Sequence, residues 1–306
     1  MALINKKGYF FSLTVLLILV LVYVYFSSHR DSGFSRQSLV VEQRLQEINR
    51  VVNLVEKDAE TGLRIALFRT ILDLDSYVGD YGAIDPSTFP DIVKELLLNG
   101  SIDESSMTFS DNNSLSDWEG SIVSLFGSMG LSASFSGSTA SLSQNSHWDI
   151  VAHYGSNLFV NDPFSKSNWS KNIDVRASLP ITRFYDPLFS IHATAKRNIT
   201  KFPYDSEDIS NLNIIIDRGF YVESNLSPSF LQRFQNLDNF EQGEFIGVGI
   251  ESLIDLSAGY ISPSQRPIID WLFFTDKGSP CQSGDHILAV NFNNTYDVPC
   301  TVIEAP

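Results

Sequence analysis

Residues Tyr9–Phe26 read YFFSLTVLLILVLVYVYF, eighteen residues with no charge, proline or glycine. As a helix this run extends about 27 Å, close to the roughly 30 Å hydrocarbon core of a bilayer. Its only polar side chains, Ser12 and Thr14, can bond back to helical carbonyls. A cleaved secretory signal has a shorter apolar region, and a buried core helix usually carries a polar stripe. The run therefore predicts an N-terminal transmembrane helix over 9–26, preceded by a cytoplasmic leader at 1–8.

The chain has 306 residues and a formal net charge of −15. Lys6 and Lys7 are the only charges in residues 1–26, so the remainder carries −17. Such a surface repels nucleic acid and anionic headgroups and suits cations or basic partners. Lys6 and Lys7 before the run are nearly balanced by Arg30, Arg36 and Arg44 after it. The short acid-free tail favours a cytoplasmic amino terminus and an extracytoplasmic C-terminal part, at the cell membrane as a single-pass protein. Asn99, Asn112, Asn168, Asn198, Asn225 and Asn293 head Asn-x-Ser/Thr sequons, all on that side. They are glycosylation candidates. The only cysteines, Cys281 and Cys300, make an even pair there. A disulfide between them would contribute about 3 kcal/mol, and the alternative is two buried thiols.

Ser27–Ser35 is a run of weak helix formers, read as a collar or a bend. Val41, Leu45, Ile48, Val52, Val55, Ala59, Gly62 and Ala66 then recur at alternating spacings of four and three. That heptad seam predicts a long helical stalk over 27–80, able to self-associate or to pack on its own domain. After Leu63 apolar residues cover more of the helix, which should end near Gly79–Gly82. Residues 81–306 are expected to form a head, helical over 81–130 and β-rich over 131–306. DIVKELLLNG should close on Gly100. Ser116 and Glu119 suggest a capping box for a helix closed by Gly130. Period-two patterns mark strands at Leu131–Phe135, Trp148–Ala152, Leu158–Val160 after a turn at Gly155-Ser156-Asn157, and Val175–Leu179. Further strands are expected at Asn213–Ile216, Phe220–Val222, Ile268–Phe274 and His286–Phe292, with short helices at Pro228–Phe234 and Ile250–Leu256. The expected class is α+β: a transmembrane helix running into a long amphipathic helix, followed by a β-rich globular head.

No phosphate loop, dinucleotide fingerprint, H-E-x-x-H or nucleophile elbow occurs, so no catalytic residue, cofactor or metal site is assigned. His147, Asp149 and His153 would share one strand face, but the two histidines would stand about 20 Å apart on a straight strand. Asp186-Pro187 and scattered aspartates lack the spacing of a calcium loop.

Lys6, Lys7, Gly8 and Tyr9, with the apolar run behind them, resemble the leader of archaeal type IV pilin-like proteins. The resemblance implies cleavage after Gly8, a mature chain beginning at Tyr9, and a helix whose distal half packs on a β-rich head. Bacterial pilins carry glutamate five residues into the mature helix, where this chain has Leu13. Asp186-Pro187-Leu188-Phe189 and Gly249–Leu253 resemble stretches of uncharacterised archaeal membrane proteins. The expectation is a non-enzymatic, membrane-anchored subunit for surface assembly or adhesion, meeting itself or pilin-like partners through the stalk. The alternative is a single-span ligand-binding module that dimerises through that helix.

Overall fold

The computed structural model describes residues 15–22, 34–102, 107–108, 114–192, 196–203, 215, 218–225, 227–237, 247–254, 268–270, 280–283, 286–289 and 301–302. The expected transmembrane helix is corrected: among the described residues no helix is long and apolar enough to cross a membrane. Residues 15–22 are helical. The other parts of the expected span, 9–14 and 23–26, lie outside the described residues. What stands is an α+β chain with one long helix.

That helix, α1, runs from Phe34 to Tyr81 over 48 residues. It is followed by α2 (Phe89–Asn99), β1 (Ser101–Ile102), β2 (Met107–Thr108) and α3 (Leu115–Ser128). Strands β3 (Ser132–Gln144), β4 (Asp149–Asp162) and β5 (Ser167–Pro180) form a sheet in that order. After α4 (Pro187–Ile191), strands β6 (Tyr221–Ser224), β7 (Gly249–Ile254) and β8 (Ile268–Ile269) form a second sheet, in sequence order and antiparallel. β9 (Pro280–Ser283), β10 (His286–Ala289) and β11 (Thr301–Val302) form a third, ordered β10-β9-β11.

The chain divides into two compact units. The first comprises Met1–Glu60, Ser116–Ser138 and Gly155–Val175, so the division cuts through α1 and the strands. In this unit the heptad seam is covered within the single chain: Ile48, Val52, Val55 and Ala59 are buried. Glu56 on α1 pairs with Lys171 at 2.9 Å, and Trp118 Nε1 donates to Asp58 at 2.8 Å. An ordinary amphipathic helix packed on its own domain therefore describes this half. α3 begins at Leu115, ahead of the Ser116 expected as its cap, and Glu119 accepts from Ser138 Oγ at 2.5 Å. The expected turn at Gly155-Ser156-Asn157 is also absent, and β4 runs straight through it. Ser156 is buried there, and its hydroxyl lies 2.9 Å from that of Ser138, so a polar residue is satisfied inside a continuous strand.

The second unit comprises Thr61–Leu115, Thr139–Tyr154 and Arg176–Pro306. Here α1 buries Leu63, Ala66, Leu67, Ile71, Leu74 and Val78, while Gly62 of the expected seam is half-buried. A straight helix of 3.6 residues per turn drifts off a 3.5-residue seam, so Leu63 replaces Gly62 on the inner face. Phe68, Phe184, Phe230 and Phe234 meet in succession at 5.5, 6.0 and 5.3 Å between ring centres, the last pair edge to face. α2 ends as the sequence indicates: Gly100 takes φ 68° and its N–H bonds to Leu96 O. Of the helix expected at Ile250–Leu256, the last two residues lie outside the described residues and 250–254 fall on β7. Its pairing with β6, Val222 opposite Glu251, overrides a local pattern too short to fix the period. Of the strand expected at Asn213–Ile216 only Ile215 is described, and it is helical.

Candidate functional site

The ion pairs with no exposed surface among the described residues surround Arg233 in the second unit. Asp186 precedes Pro187 at the start of α4, and its Oδ1 accepts the Leu188 N–H at 3.1 Å, an N-cap with proline in the first turn. Its Oδ2 accepts Tyr221 OH and Arg233 Nη1, both at 2.7 Å. Arg233 lies in the 3-10 turn Gln232–Phe234, whose chain bonds back from Arg233 N to Ser229 O at 3.1 Å. Nη1 also reaches Asp270 Oδ2 at 2.9 Å and Nη2 reaches Oδ1 at 3.3 Å, while Nη2 donates to the Ile250 carbonyl. Asp270 Oδ2 accepts from Ser252 N and Oγ at 3.1 and 3.0 Å.

Asp186, Tyr221, Arg233 and Asp270 have no exposed surface. Burial pushes the Asp186 carboxyl above its ordinary value; Arg233 opposes this, and repulsion from Asp270 adds to it. Burial, with the Asp186 charge beside it, raises the Tyr221 phenol well above its usual value. Burial works to lower Arg233, but two carboxylates hold it above the ordinary arginine value. One guanidinium thus serves two carboxylates, and every group points inward. The arrangement can join residues 186, 221, 233, 250–252 and 270 into one body. It offers no group to a reactant in solvent.

Two motifs noted in the sequence, Asp186-Pro187 and Gly249–Leu253, meet here. Calcium at Asp186 is disfavoured by chemistry, since both its oxygens accept hydrogen bonds and a cation would have to displace Arg233. Arg233, Tyr221 and Asp270 were missed. For the two charged residues the signal was a lone charge in a largely apolar run: Arg233 within SFLQRF and Asp270 within IIDWLFF.

His147, Asp149 and His153 do not form one cluster. His147 lies before β4 with Nδ1 2.7 Å from Gly249 O, Asp149 meets Ser146 Oγ at 3.2 Å, and His153 is half-buried on the strand. Asn99, Asn168, Asn198 and Asn225 are exposed. Ser227, two residues after Asn225, is buried and donates to Glu251 at 2.5 Å. Lys6, Lys7, Gly8, Tyr9, Asn112, Asn293 and Cys300 lie outside the described residues, and Cys281 falls on β9. No family model, curated protein or solved structure matches the chain.

Proposed function

We propose that this chain is a non-enzymatic, exported subunit of a surface assembly or adhesion apparatus, of pilin-like type, with an α+β head. The observation that carries the reading is the sealed Arg233 network: the most deeply buried ion pairs among the described residues tie parts of the second unit together and face no solvent. The exposure of Asn99, Asn168 and Asn198 supports passage through a compartment where sequons are modified. The leader at Lys6-Lys7-Gly8 supports processing by a dedicated peptidase. A module dimerising through the heptad seam is less well supported, because Ile48, Val52, Val55 and Ala59 are already buried in one chain.

The test is amino-terminal sequencing of the protein from its native cells, with chemical crosslinking of the same sample. A chain beginning at Tyr9 and crosslinked to further subunits is the expected result. A chain beginning at Met1 or Ala2 that never crosslinks would overturn the proposal.

A further inference from the structure

In the second unit α1 turns Leu63, Ala66, Leu67, Ile71 and Leu74 inward. The opposite side of the same stretch is not the polar surface that an amphipathic helix usually shows. Ile65, Phe68 and Leu72, spaced three and four apart and so on one face, are 49, 36 and 36 % exposed. The ridge continues off the helix. Phe68 meets Phe184 at 5.5 Å between ring centres, and Tyr185, the next residue, is itself exposed. Lys196 Nζ stands 5.3 Å from the Tyr185 ring centre and 2.9 Å from Asp75, one turn beyond Leu72. These contacts make one surface of the helix face and the 184–185 and 196 positions.

The exposed charges along it have one sign. Arg64, Arg69, Arg183 and Lys196 are all exposed. The acids of the same segments, Asp73 and Asp75 on α1 and Asp186 beside Tyr185, are buried. An apolar ridge bordered by cations therefore stands out on a chain of net charge −15. That charge selects the occupant. A second copy laying the same ridge on this one would set Arg64 and Arg69 against a second set of arginines. An anionic bilayer would meet the cations but also the acidic remainder of the chain. A helix with an apolar ridge between acidic flanks meets only the patch, ridge into groove and acid onto arginine.

We propose that the Ile65–Phe68–Leu72 ridge of α1 is a docking surface for an acidic amphipathic helix of another protein. It does not rest on the assembly reading above.

The probe is a fluorescent helical peptide of about 21 residues, three heptads, with leucine at a and d and glutamate at e and g. Its anisotropy is titrated with the full chain. Saturable binding is expected, at least about tenfold tighter than with lysine at e and g, and weakening as salt rises. Ile65→Asp, in the ridge, and Arg69→Glu, at its border, should each weaken it about tenfold or more. Both positions are exposed, so both variants should fold. No saturable binding of the glutamate peptide, or binding that the variants and the lysine peptide leave unchanged, would overturn the proposal. So would a different occupant: binding of phosphatidylglycerol vesicles, or self-association in sedimentation, that the variants abolish while the peptide does not bind. If neither variant folds, the wild type decides through the two peptides and the salt dependence. Equal affinity for both peptides would then reject the site.

Discussion

Arg44 and Arg233 each hold an aspartate at nearly the same distance, 2.9 Å to Asp162 and 2.7 Å to Asp186. Their consequences are opposite. Asp162, in the first unit, has its arginine to itself: Arg44 donates from Nε and Nη2, and Phe164 N and Ser165 Oγ add bonds at 3.0 and 2.8 Å. Burial works to raise this carboxyl, yet those donors outweigh it and its pKa lies below the ordinary value. Asp186, in the second unit, shares its arginine with Asp270, and burial wins. Bond length does not decide the sign. The balance between burial and the donors around each carboxylate does.

The largest effect should come from removing the shared cation. Arg233→Met leaves two buried carboxylates facing each other, and stripping one partner from a buried charge network costs about 3–5 kcal/mol. Urea unfolding of the variant should show that loss near neutral pH and a smaller one in mild acid, where the orphaned carboxylates can take up protons. A loss under about 1 kcal/mol at both pH values would mean the network holds nothing together.

The contrast between these sites follows from what is local in the sequence. The long helix, its end at Tyr81 and the Gly100 cap were legible because period, capping and breakers act over a few residues. The Arg44–Asp162 pair spans 118 positions and the Arg233–Asp270 pair 37, and no periodicity reports such meetings. The strand through Gly155-Ser156-Asn157 was misread because turn-forming residues are tolerated where a cross-strand hydroxyl satisfies Ser156. The helix expected at Ile250 failed for a related reason, because a neighbouring strand decided it. Arg233 and Asp270 are the instructive cases: each stands as a charge in an apolar run, which signals burial but does not name its partner.

An apolar standard sharpens the comparison. Leu63 is fully buried on α1, whereas Leu54 on the same helix is 51 % exposed. Leu63→Ala should cost about 2–5 kcal/mol and Leu54→Ala about 0.5 or less, read from unfolding midpoints at unchanged slope. If Arg233→Met costs less than Leu63→Ala, packing rather than the charge network is the dominant constraint on the second unit. Equal costs at Leu54 and Leu63 would contradict the burial of the inner helix face.

The smallest effect, and the one whose sign separates the two regions, belongs to Arg44–Asp162. The Arg44 side chain keeps 30 % of its exposure, so solvent screening limits the pair to about 1 kcal/mol. Because the folded pKa of Asp162 is depressed, its contribution is present above the unfolded carboxylate value and is lost as pH falls through the folded one. Asp186 is raised, so its contribution is present below the unfolded value and fades as pH rises through the folded one. Asp162→Asn should therefore flatten the acid side of the stability profile and leave the neutral side nearly parallel to wild type. Arg44→Met should reproduce that flattening, and the two together should add little beyond either alone, since each removes the same interaction. Chemical denaturation at a series of pH values measures all three variants. If Asp162→Asn instead altered the profile on the neutral side, the assignment of opposite signs to the two aspartates would fail, and with it the argument that burial set against nearby donors decides the direction.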